Sequence, residues 1–157
     1  MIRIRLAAAS DEAALGRMGA ALMRQHHDVD PRRFIITARP EAGYGRFLVS
    51  VLADPDYFVR VAESDGEVVG YVLAGIEPTS WMDLRGPCGA IHDVYVEEKA
   101  RRSGAGQQLL GAALDWILTK GMSQVVLSTM TRNEPAKHLF AKMGFRETMV
   151  EMTFDRD

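Results

Sequence analysis

The sequence predicts an α/β (α+β) protein with a mixed, mostly antiparallel central sheet of six to seven strands, flanked by about four helices. Three observations carry this prediction: Ile2–Leu6 alternates between apolar and polar residues, Tyr57–Ile76 has the pattern of a hairpin, and strand and helix patterns alternate after Ile91. With 157 residues, 47% of them hydrophobic, the chain is long enough to bury a core. We expect a single domain over residues 1–157.

The first half of the chain is predicted to form a strand, two helices and a hairpin. The alternation of Ile2–Leu6 is typical of a strand and differs from the apolar run of a signal peptide. Ser10–Glu12 supplies a cap and an acidic first turn for a helix that ends before Pro31. A second helix is predicted around Glu41–Ala53. A hairpin then turns at Gly66, because glycine adopts the backbone angles that such turns need.

The second half alternates strands and helices after a loop over Glu77–Gly89, which contains two prolines and two glycines. Ile91–Val96 and Val125–Thr129 are rich in β-branched residues and are predicted to be strands. Gln107–Lys120 carries an apolar stripe at helical spacing. In Val150–Phe154 every second residue is apolar, which predicts a closing strand.

The segment between the predicted strand at Ile91–Val96 and the following helix has the composition of an anion site. It is basic and contains glycines, which allow the backbone to approach a ligand closely. The first N–H groups of a helix lack partners within the helix, and the helix dipole favours negative charge there. A P-loop is excluded because Gln107 follows Gly106, and a dinucleotide fingerprint is excluded because Leu109 stands where a small residue is needed. We therefore predict another kind of phosphate-bearing ligand.

Two motifs resemble one known family. Arg101, Gly104 and Gly106 fit the pattern Arg-x-x-Gly-x-Gly, which resembles the coenzyme A pyrophosphate loop of the GCN5-related N-acetyltransferase (GNAT) superfamily. Asn133–Phe145 resembles the family's segment Asn-x-x-Ala-x-x-Leu-Tyr-x-x-x-Gly-Phe, except that Phe140 stands where the family usually has tyrosine. The two motifs occur in the family's order, with a predicted strand between them. The chain is therefore identified as a member of this superfamily.

The resemblance implies the GNAT acyl-CoA N-acyltransferase fold and an enzyme without a metal. Such an enzyme transfers an acetyl group from acetyl-CoA directly to a primary amine of a small molecule or a peptide. In this family the cofactor enters a gap between the fourth and fifth strands, where its amide arm pairs with the backbone, here that of Val94 and Val96. The implied contacts to the pyrophosphate are Arg101, Arg102, Ser103, Gly104, Ala105 and Gly106.

Three residues of the second motif are implied to lie near the cofactor. Asn133 is a good helix N-cap and, by resemblance, also a neighbour of the pantetheine arm; the two roles are compatible. Lys137 is a candidate contact to the 3′-phosphate of coenzyme A, with a solvated helix lysine as the alternative. Phe140 offers no hydroxyl to protonate the departing thiolate, so water, Ser128 or Thr129 would have to do so. Loss of such an acid slows a reaction by roughly 10²–10⁴-fold, and a non-catalytic or weakly catalytic acyl-CoA sensor becomes the alternative function.

Acetyl transfer to an amine needs a base for the ammonium proton and a hydrogen-bond donor for the developing oxyanion. The resemblance implies the backbone N–H of Val94 as the donor. His92, whose unperturbed pKa is about 6.5, and Asp93 are the candidate bases. Neighbouring strand residues point to opposite faces, so both line one cavity only if a bulge intervenes, as it does in family members. A histidine that merely stabilises a sheet edge is the alternative for His92.

The sequence leaves the acceptor amine open. In this family the first two helices and the loop between them border the acceptor cleft. Their acidic residues suit a cationic amine, whereas their arginines suit an amine that carries a carboxylate. The residues concerned are His26, His27, Asp28, Asp30, Arg32, Arg33, Glu41 and Tyr44.

Composition and residue spacing indicate which partners, cellular compartment and metal ions to expect for this protein. A formal net charge of -2 gives no support for general nucleic-acid binding, and no apolar run reaches membrane-spanning length. Cys88 is the single cysteine, which excludes an internal disulfide and fits a reducing compartment. His26 and His27 are adjacent and point about 100° apart on a helix, so no metal is expected. We expect a cytoplasmic protein without membrane or nucleic-acid partners, and the family's habit of dimerising makes a homodimer one expected assembly.

Overall fold

The computed structural model describes residues 1–157 and contains one sheet, four α-helices and two short 3₁₀ turns. The strands are β1 (Ile2–Leu6), β2 (Tyr57–Ser64), β3 (Glu67–Glu77), β4 (Cys88–Val96) and β5 (Val125–Leu127). The helices are α1 (Glu12–Val29), α2 (Pro40–Ser50), α3 (Ala105–Thr119) and α4 (Glu134–Lys142). None of them combines the length and the apolar character that crossing a membrane requires.

The strands lie side by side in the order in which they occur in the chain. β1 to β4 are antiparallel neighbours, and β5 runs parallel to β4, so the sheet is mixed and mostly antiparallel as predicted. The hairpin of β2 and β3 turns at Asp65 and Gly66, whose φ angles of 51° and 82° are both left-handed. Two such residues are typical of the tight turn that matches the twist of the flanking strands.

Apolar residues pack on both faces of the sheet. On one face α3 contributes Leu109 and Ile117 to a cluster with Phe58 and Ile91 of the strands. On the other face α1 and α2 pack against β2 and β3 around the fully buried ring of Tyr71. Burial of these side chains supplies the main driving force for folding.

Glycines allow α1 and α2 to approach each other and the site. A Cβ on Gly16 would lie 2.3 Å from the carbonyl oxygen of Glu41, so the two helix backbones touch there. A Cβ on Gly19 would lie 2.1 Å from Cδ1 of Tyr44. The missing side chain of Gly19 therefore makes the space in which the Tyr44 ring lies.

The predicted number of strands was wrong. The sheet has five strands, because the alternating segment Val150–Phe154 pairs with no other strand and lies exposed. Two element boundaries also differ from expectation. β4 begins at Cys88, inside the predicted loop, because residues from Cys88 onward pair with β3. α2 ends at Ser50 rather than Ala53.

The ladder between β4 and β5 is short. The paired residues run from Gly89 with Val125 to Ile91 with Leu127. β5 stops there, before the predicted end at Thr129, whereas β4 continues to Val96. The rest of β4 consequently has β3 on one side and no strand on the other.

Candidate active site

A β-bulge in β4 brings the two candidate bases together. Leu73 of β3 lies opposite Asp93, and the next residue, Ala74, lies opposite Ile91, so His92 is an extra residue in β4. Both His92 and Asp93 line one cleft of about 190 Å³ on the side of α2. The condition stated from the sequence, that a bulge must intervene, is met. The cleft is lined by Tyr44, Phe47, Tyr57, Leu73, His92 and Asp93.

Two tyrosines orient Asp93. The hydroxyl groups of Tyr44 and Tyr71 donate hydrogen bonds of 2.6 Å and 2.9 Å to the same oxygen, Oδ2 of Asp93. Burial, followed by the charge of Asp93, raises the pKa of both tyrosines, so they remain protonated donors at neutral pH. Oδ1 of Asp93 makes no hydrogen bond within the protein, so this oxygen can still accept one.

His92 pairs with a glutamate of the neighbouring strand. Its Nε2 lies 3.2 Å from Oε1 of Glu77, and 38% of the histidine side chain is exposed. The ring lies over Gly75, where a Cβ would be 3.4 Å from Nε2. When Nε2–H donates to Glu77, the basic lone pair is on Nδ1. The imidazole is thus oriented by the protein and still reachable from the cleft.

The unpaired edge of β4 presents backbone groups. The N–H of Glu97 donates to the carbonyl of Val69 at 2.8 Å, and hydrogen-bonded positions alternate along an antiparallel pair. Asp93 and Tyr95 therefore bond to β3, whereas the N–H and C=O groups of Val94 and Val96 point toward the side that β5 leaves open. The carbonyl of Val96 accepts a hydrogen bond of 3.1 Å from Nε of Arg101.

The loop before α3 has the geometry of an anion site. Arg102 and Gly104 are left-handed, with φ angles of 62° and 85°. Ser103 stabilises the turn, since its hydroxyl donates to the carbonyl of Ala100 and accepts from the N–H of Ala105. The first bond of the helix runs from the N–H of Gln108 to the carbonyl of Gly104, which leaves the N–H of Gly106 without a partner in the helix. Backbone donors of this kind fit a pyrophosphate.

The three residues of the second motif that are predicted to lie near the cofactor each contact another residue of the protein. Oδ1 of Asn133 accepts a hydrogen bond of 3.2 Å from the N–H of Ala136, so Asn133 is the N-cap. The ammonium of Lys137 lies 3.2 Å from Glu147, and this hydrogen bond is the main cause of its raised pKa. The ring of Phe140 packs edge-on against Phe145, with centroids 6.0 Å apart.

A larger cleft of about 400 Å³ lies elsewhere, between α1 and the start of β3. Its charged side chains pair with one another: Arg17 with Glu97 at 3.0 Å, and Lys99 with Glu67. It contains no imidazole, and its lysine is engaged by the two glutamates. We therefore place the site at the smaller cleft. No group of three or more His, Cys, Asp or Glu side chains in the chain is arranged to hold a metal ion.

Comparison with known proteins decides the family. The model of the acetyltransferase (GNAT) family matches residues 20–145. The chain is 30% identical over 146 residues to the uncharacterized N-acetyltransferase YhfO of Bacillus subtilis, covering 93% of this chain and 91% of YhfO. The chain belongs to the GNAT acetyltransferase family. The resemblance predicted from the two motifs is thereby confirmed.

A further relative agrees in sequence, and solved structures agree in fold. An N-alpha-acetyltransferase of Sulfurisphaera tokodaii is 34% identical over 119 residues, covering 72% of this chain and 71% of that protein. A solved variant of the BH1408 protein of Bacillus halodurans superposes with a TM-score of 0.84 at 16% identity, over 98% of this chain and 99% of that one. The aminoglycoside N-acetyltransferase AAC(6′)-Iy, solved in complex with CoA, gives a TM-score of 0.74 at 17% identity, over 99% and 95%. At these identities the solved structures show the fold alone.

GNAT proteins use acetyl-CoA, and the residues of this chain suit that ligand. The exposed backbone of β4 and the N–H groups before α3 are donors of the kind that amides and phosphates accept. Sequence reasoning missed Tyr71 and Glu77, which orient Asp93 and His92. Both lie on the strand paired with β4, and only knowledge of the register could have selected them. It also missed Phe47 and Tyr57, whose isolated positions in the sequence carried no motif.

Proposed function

We propose that this GNAT protein transfers an acetyl group from acetyl-CoA directly to a primary amine of a small molecule or a peptide. The bulge at His92 is the observation that carries the proposal. It places an imidazole and a carboxylate in one aromatic-lined cleft, on the strand whose next residues border the β4–β5 gap. An acceptor in the cleft and an acyl donor in the gap would meet at β4.

The donor side of the site is proposed to hold acetyl-CoA, which supplies an activated thioester carbonyl when bound. The loop Arg101–Gly106 would hold the pyrophosphate through backbone N–H groups, with the exposed guanidinium groups of Arg101 and Arg102 supplying positive charge. The carbonyl of Val94 and the N–H of Val96 would pair with the amides of the pantetheine arm. Asn133, Lys137 and Phe140 would line the rest of the path. Lys137 would then exchange its contact with Glu147 for the 3′-phosphate.

The acceptor side is proposed to bind and deprotonate the amine. Oδ1 of Asp93 would accept a hydrogen bond from the ammonium, whose charge also suits the faces of Tyr44 and Phe47. His92 would take the proton, directly or through water, and Glu77 would stabilise the resulting imidazolium. We thus assign Asp93 to binding and His92 to base catalysis.

The acyl transfer itself is proposed to proceed on the edge of β4. The amine nitrogen forms a bond to the carbonyl carbon, the carbon–sulfur bond breaks, and the thiolate takes up a proton. The N–H of Val94 would donate to the carbonyl oxygen as its negative charge grows. Ser128 and Thr129 follow β5 directly and are exposed, so either hydroxyl or a water molecule would supply the proton that Phe140 cannot.

Phe140 favours a second candidate function, that of an acyl-CoA-binding sensor with little or no turnover. Its apolar ring removes the family's usual acid, while the anion loop and the β4 edge are unaffected. A sensor needs only the donor side of the site. The two functions therefore differ in whether addition of an amine leads to release of thiol from acetyl-CoA.

The deciding experiment measures release of free thiol from acetyl-CoA over a panel of amines, with the binding of CoA measured separately by calorimetry. Polyamines, aminoglycosides, amino acids and lysine peptides cover the acceptor classes. Turnover above the amine-free rate with any of them supports the transferase. Binding of CoA without turnover on the panel contradicts the transferase and supports the sensor, and absence of CoA binding contradicts both.

The remaining expectations belong to the same proposal. We propose that the protein works in the cytoplasm, where acetyl-CoA is available, with its single cysteine reduced and buried. We also propose that it forms a homodimer and binds neither nucleic acid nor membrane. One domain over residues 1–157 remains our prediction.

A further inference from the structure

The cleft beside Asp93 is lined mainly by aromatic and hydrocarbon side chains. Tyr44 and Phe47 lie three residues apart on α2, a spacing that places both on one side of the helix. Their rings form an edge-to-face pair with centroids 6.0 Å apart and an interplanar angle of 83°. Leu73 of β3 and Tyr57 at the start of β2 complete the apolar lining. A ligand in the cleft therefore meets apolar side chains from three different elements.

Two of these rings are not needed by the core. Phe47 is 46% and Tyr57 37% exposed, and neither is a member of the two core clusters. Single exposed apolar side chains are common on protein surfaces, whereas several that border one groove are typical of a binding site. Both rings border this cleft. Their surface is thus available to an apolar group of a ligand.

The charge of the cleft suits a single cation. Oδ1 of Asp93 is free to accept a hydrogen bond, while Oδ2 accepts from Tyr44 and Tyr71. The basic group among the lining residues is His92, which is paired with Glu77. No lysine or arginine lines the cleft. One ammonium group is therefore complementary to the cleft, whereas a carboxylate would lie near Asp93 without a cation to pair with.

The aromatic surface begins next to the carboxylate. The hydroxyl of Tyr44 lies 2.6 Å from Oδ2 of Asp93, and the Tyr44 ring leads from there to Phe47. A short linker between the nitrogen and an apolar group is therefore enough to reach both features. The cleft measures about 190 Å³, whereas pockets for drug-sized ligands measure roughly 300–1,000 Å³. A small acceptor fits this volume better than a large polycation does.

We propose that the acceptor is a small primary monoamine with an aromatic or other apolar body on a short linker and without a carboxylate. Phe47 and Tyr57 select the apolar body, and Asp93 selects the single positive charge. A polyamine or an aminoglycoside has less apolar surface to bury and brings further cations, for which the cleft has no second free carboxylate. This inference rests on the proposed function, because it names the acceptor of the same site.

The first test compares acceptors by their kcat/KM in thiol release from acetyl-CoA. The amine panel is extended by phenethylamine, by phenylalanine, which adds a carboxylate to it, and by ethylamine, which lacks the ring. Phenethylamine is expected to exceed every other amine by roughly tenfold or more, since even one methylene group in an apolar pocket is worth about 10–200-fold.

The result separates the acceptor class from the activity itself. A higher kcat/KM for a polyamine, an aminoglycoside or phenylalanine would overturn the inference and leave the transferase intact. Absence of turnover with every amine, although CoA binds, would instead contradict the proposed function, and the acceptor assignment with it.

The second test removes the ring of Phe47. Phe47→Ala is expected to raise the KM for phenethylamine by roughly tenfold or more. The KM for ethylamine should stay almost unaltered, because ethylamine has no ring to contact Phe47. Phe154→Ala, which removes an exposed ring outside the cleft, is the matched control and should change neither value. Equal increases for both amines would indicate general damage to the site and would overturn the role of Phe47.

The third test supplies the cation that the cleft lacks. In Phe47→Arg the ratio of kcat/KM for phenylalanine to that for phenethylamine is expected to rise by roughly tenfold or more, because the guanidinium pairs with the added carboxylate. Ala42→Arg adds the same charge at an exposed position of α2 outside the cleft and is the matched control. Both positions are exposed, so both variants are expected to keep their far-ultraviolet circular dichroism. A ratio that is the same in the two variants would overturn the charge selection.

Discussion

His92 shows how one inserted residue can create a site. Regular alternation would direct His92 and Asp93 to opposite faces of the sheet, one toward α3 and the other toward α2. The bulge turns both toward α2, where the tyrosines and Glu77 hold them. Strand pairing thus contributes as much to the geometry as the identity of the two residues.

Replacing His92 by alanine is expected to lower turnover by roughly 10²–10⁴-fold, because the amine then lacks its base. Affinity for CoA should change little, since His92 lies on the acceptor side. The measurement pairs thiol-release kinetics with calorimetric binding of CoA. His138→Ala, an exposed histidine of α4, is the control and should retain full activity. Unchanged turnover in His92→Ala would remove His92 from the mechanism.

Phe140→Tyr restores the hydroxyl that the family usually has at this position. We expect an increase in kcat of tenfold or more with the same amine, because a positioned acid assists departure of the thiolate. Phe145→Tyr adds a hydroxyl to the neighbouring ring and serves as control. If kcat is the same in Phe140→Tyr and the unaltered chain, proton donation to the thiolate does not limit the reaction.

The residues proposed to touch a ligand are easier to predict from the sequence than the residues that orient them. His92, Asp93 and the anion loop stand in motifs or next to one another in sequence. Tyr71 and Glu77 are far from them in the chain and close only through the β3–β4 register. Tyr44 was predicted to border the acceptor cleft, but its bond to Asp93 depends on where α2 packs.

At the scale of elements, the packing of α1 against α2 determines where the Tyr44 ring lies. Gly16 and Gly19 occupy one side of α1, and the absence of their side chains brings α2 close enough for Tyr44 to reach Asp93. A helix glycine lowers helix stability by roughly 0.8–1.0 kcal/mol relative to alanine. Close helix packing beside the site offsets this loss.

Gly19→Ala is therefore expected to displace Tyr44 and weaken the orientation of Asp93. Overpacking of this kind costs about 1–3 kcal/mol, and the KM for the amine should rise. Gly43→Ala in α2, where a Cβ would meet nothing within 4 Å, is the matched control and should be neutral or slightly stabilising. Urea unfolding and amine KM report the two effects, and a Gly19→Ala protein with unaltered KM would contradict this role for Tyr44.

Element types were predicted better than element ends. The hairpin, the helix before Asp30 and the helix after the anion loop follow from periodicity and turn residues, and the structure has them. β5 is shorter than its β-branched sequence suggests, because its length depends on how far β4 stays beside it. The bulge at His92 could not be located from the local sequence either, because it is defined by how β4 pairs with β3.

At the scale of the whole molecule, a charged cluster joins the start of the chain to the sheet. The guanidinium of Arg5 in β1 bonds to both Asp11, before α1, and Glu63 of β2. The Asp11 carboxylate is nearly buried and also accepts from the N–H of Ala8. The bond from Arg5 is the main cause that lowers the pKa of Asp11 below its ordinary value.

Asp11→Asn is expected to lower the free energy of unfolding by roughly 2 kcal/mol at pH 7, the scale of hydrogen bonds to charged groups. Because the folded pKa of Asp11 is depressed, its contribution is complete above the unfolded value of about 3.9 and is lost as the pH falls through the folded value. The difference between the two proteins in urea unfolding should therefore narrow under acid conditions. Asp115→Asn, an exposed position on α3, is the control. A difference that does not depend on pH would contradict the ionic origin.

The number of strands illustrates what a single sequence leaves open. The alternation of Val150–Phe154 predicts a closing strand, but the segment forms none, because pairing requires a neighbouring edge. Within one chain that segment finds none. Local pattern decides which backbone conformation a segment favours, whereas strand pairing depends on a neighbouring edge that the local sequence does not describe.

The early end of β5 also has a consequence for the exchange of amide hydrogens with solvent. The N–H groups of Val94 and Val96 lack a strand partner, so their hydrogens should exchange with deuterium much faster than that of Tyr95, which is bonded to β3. Addition of acetyl-CoA should slow exchange at Val94 and Val96 and leave Tyr95 unaltered. Unchanged rates at saturating acetyl-CoA would show that the cofactor does not pair with this edge. The exchange rates of the amides of Val94, Tyr95 and Val96 thus report whether the cofactor occupies the β4–β5 gap, and they do so without a turnover measurement.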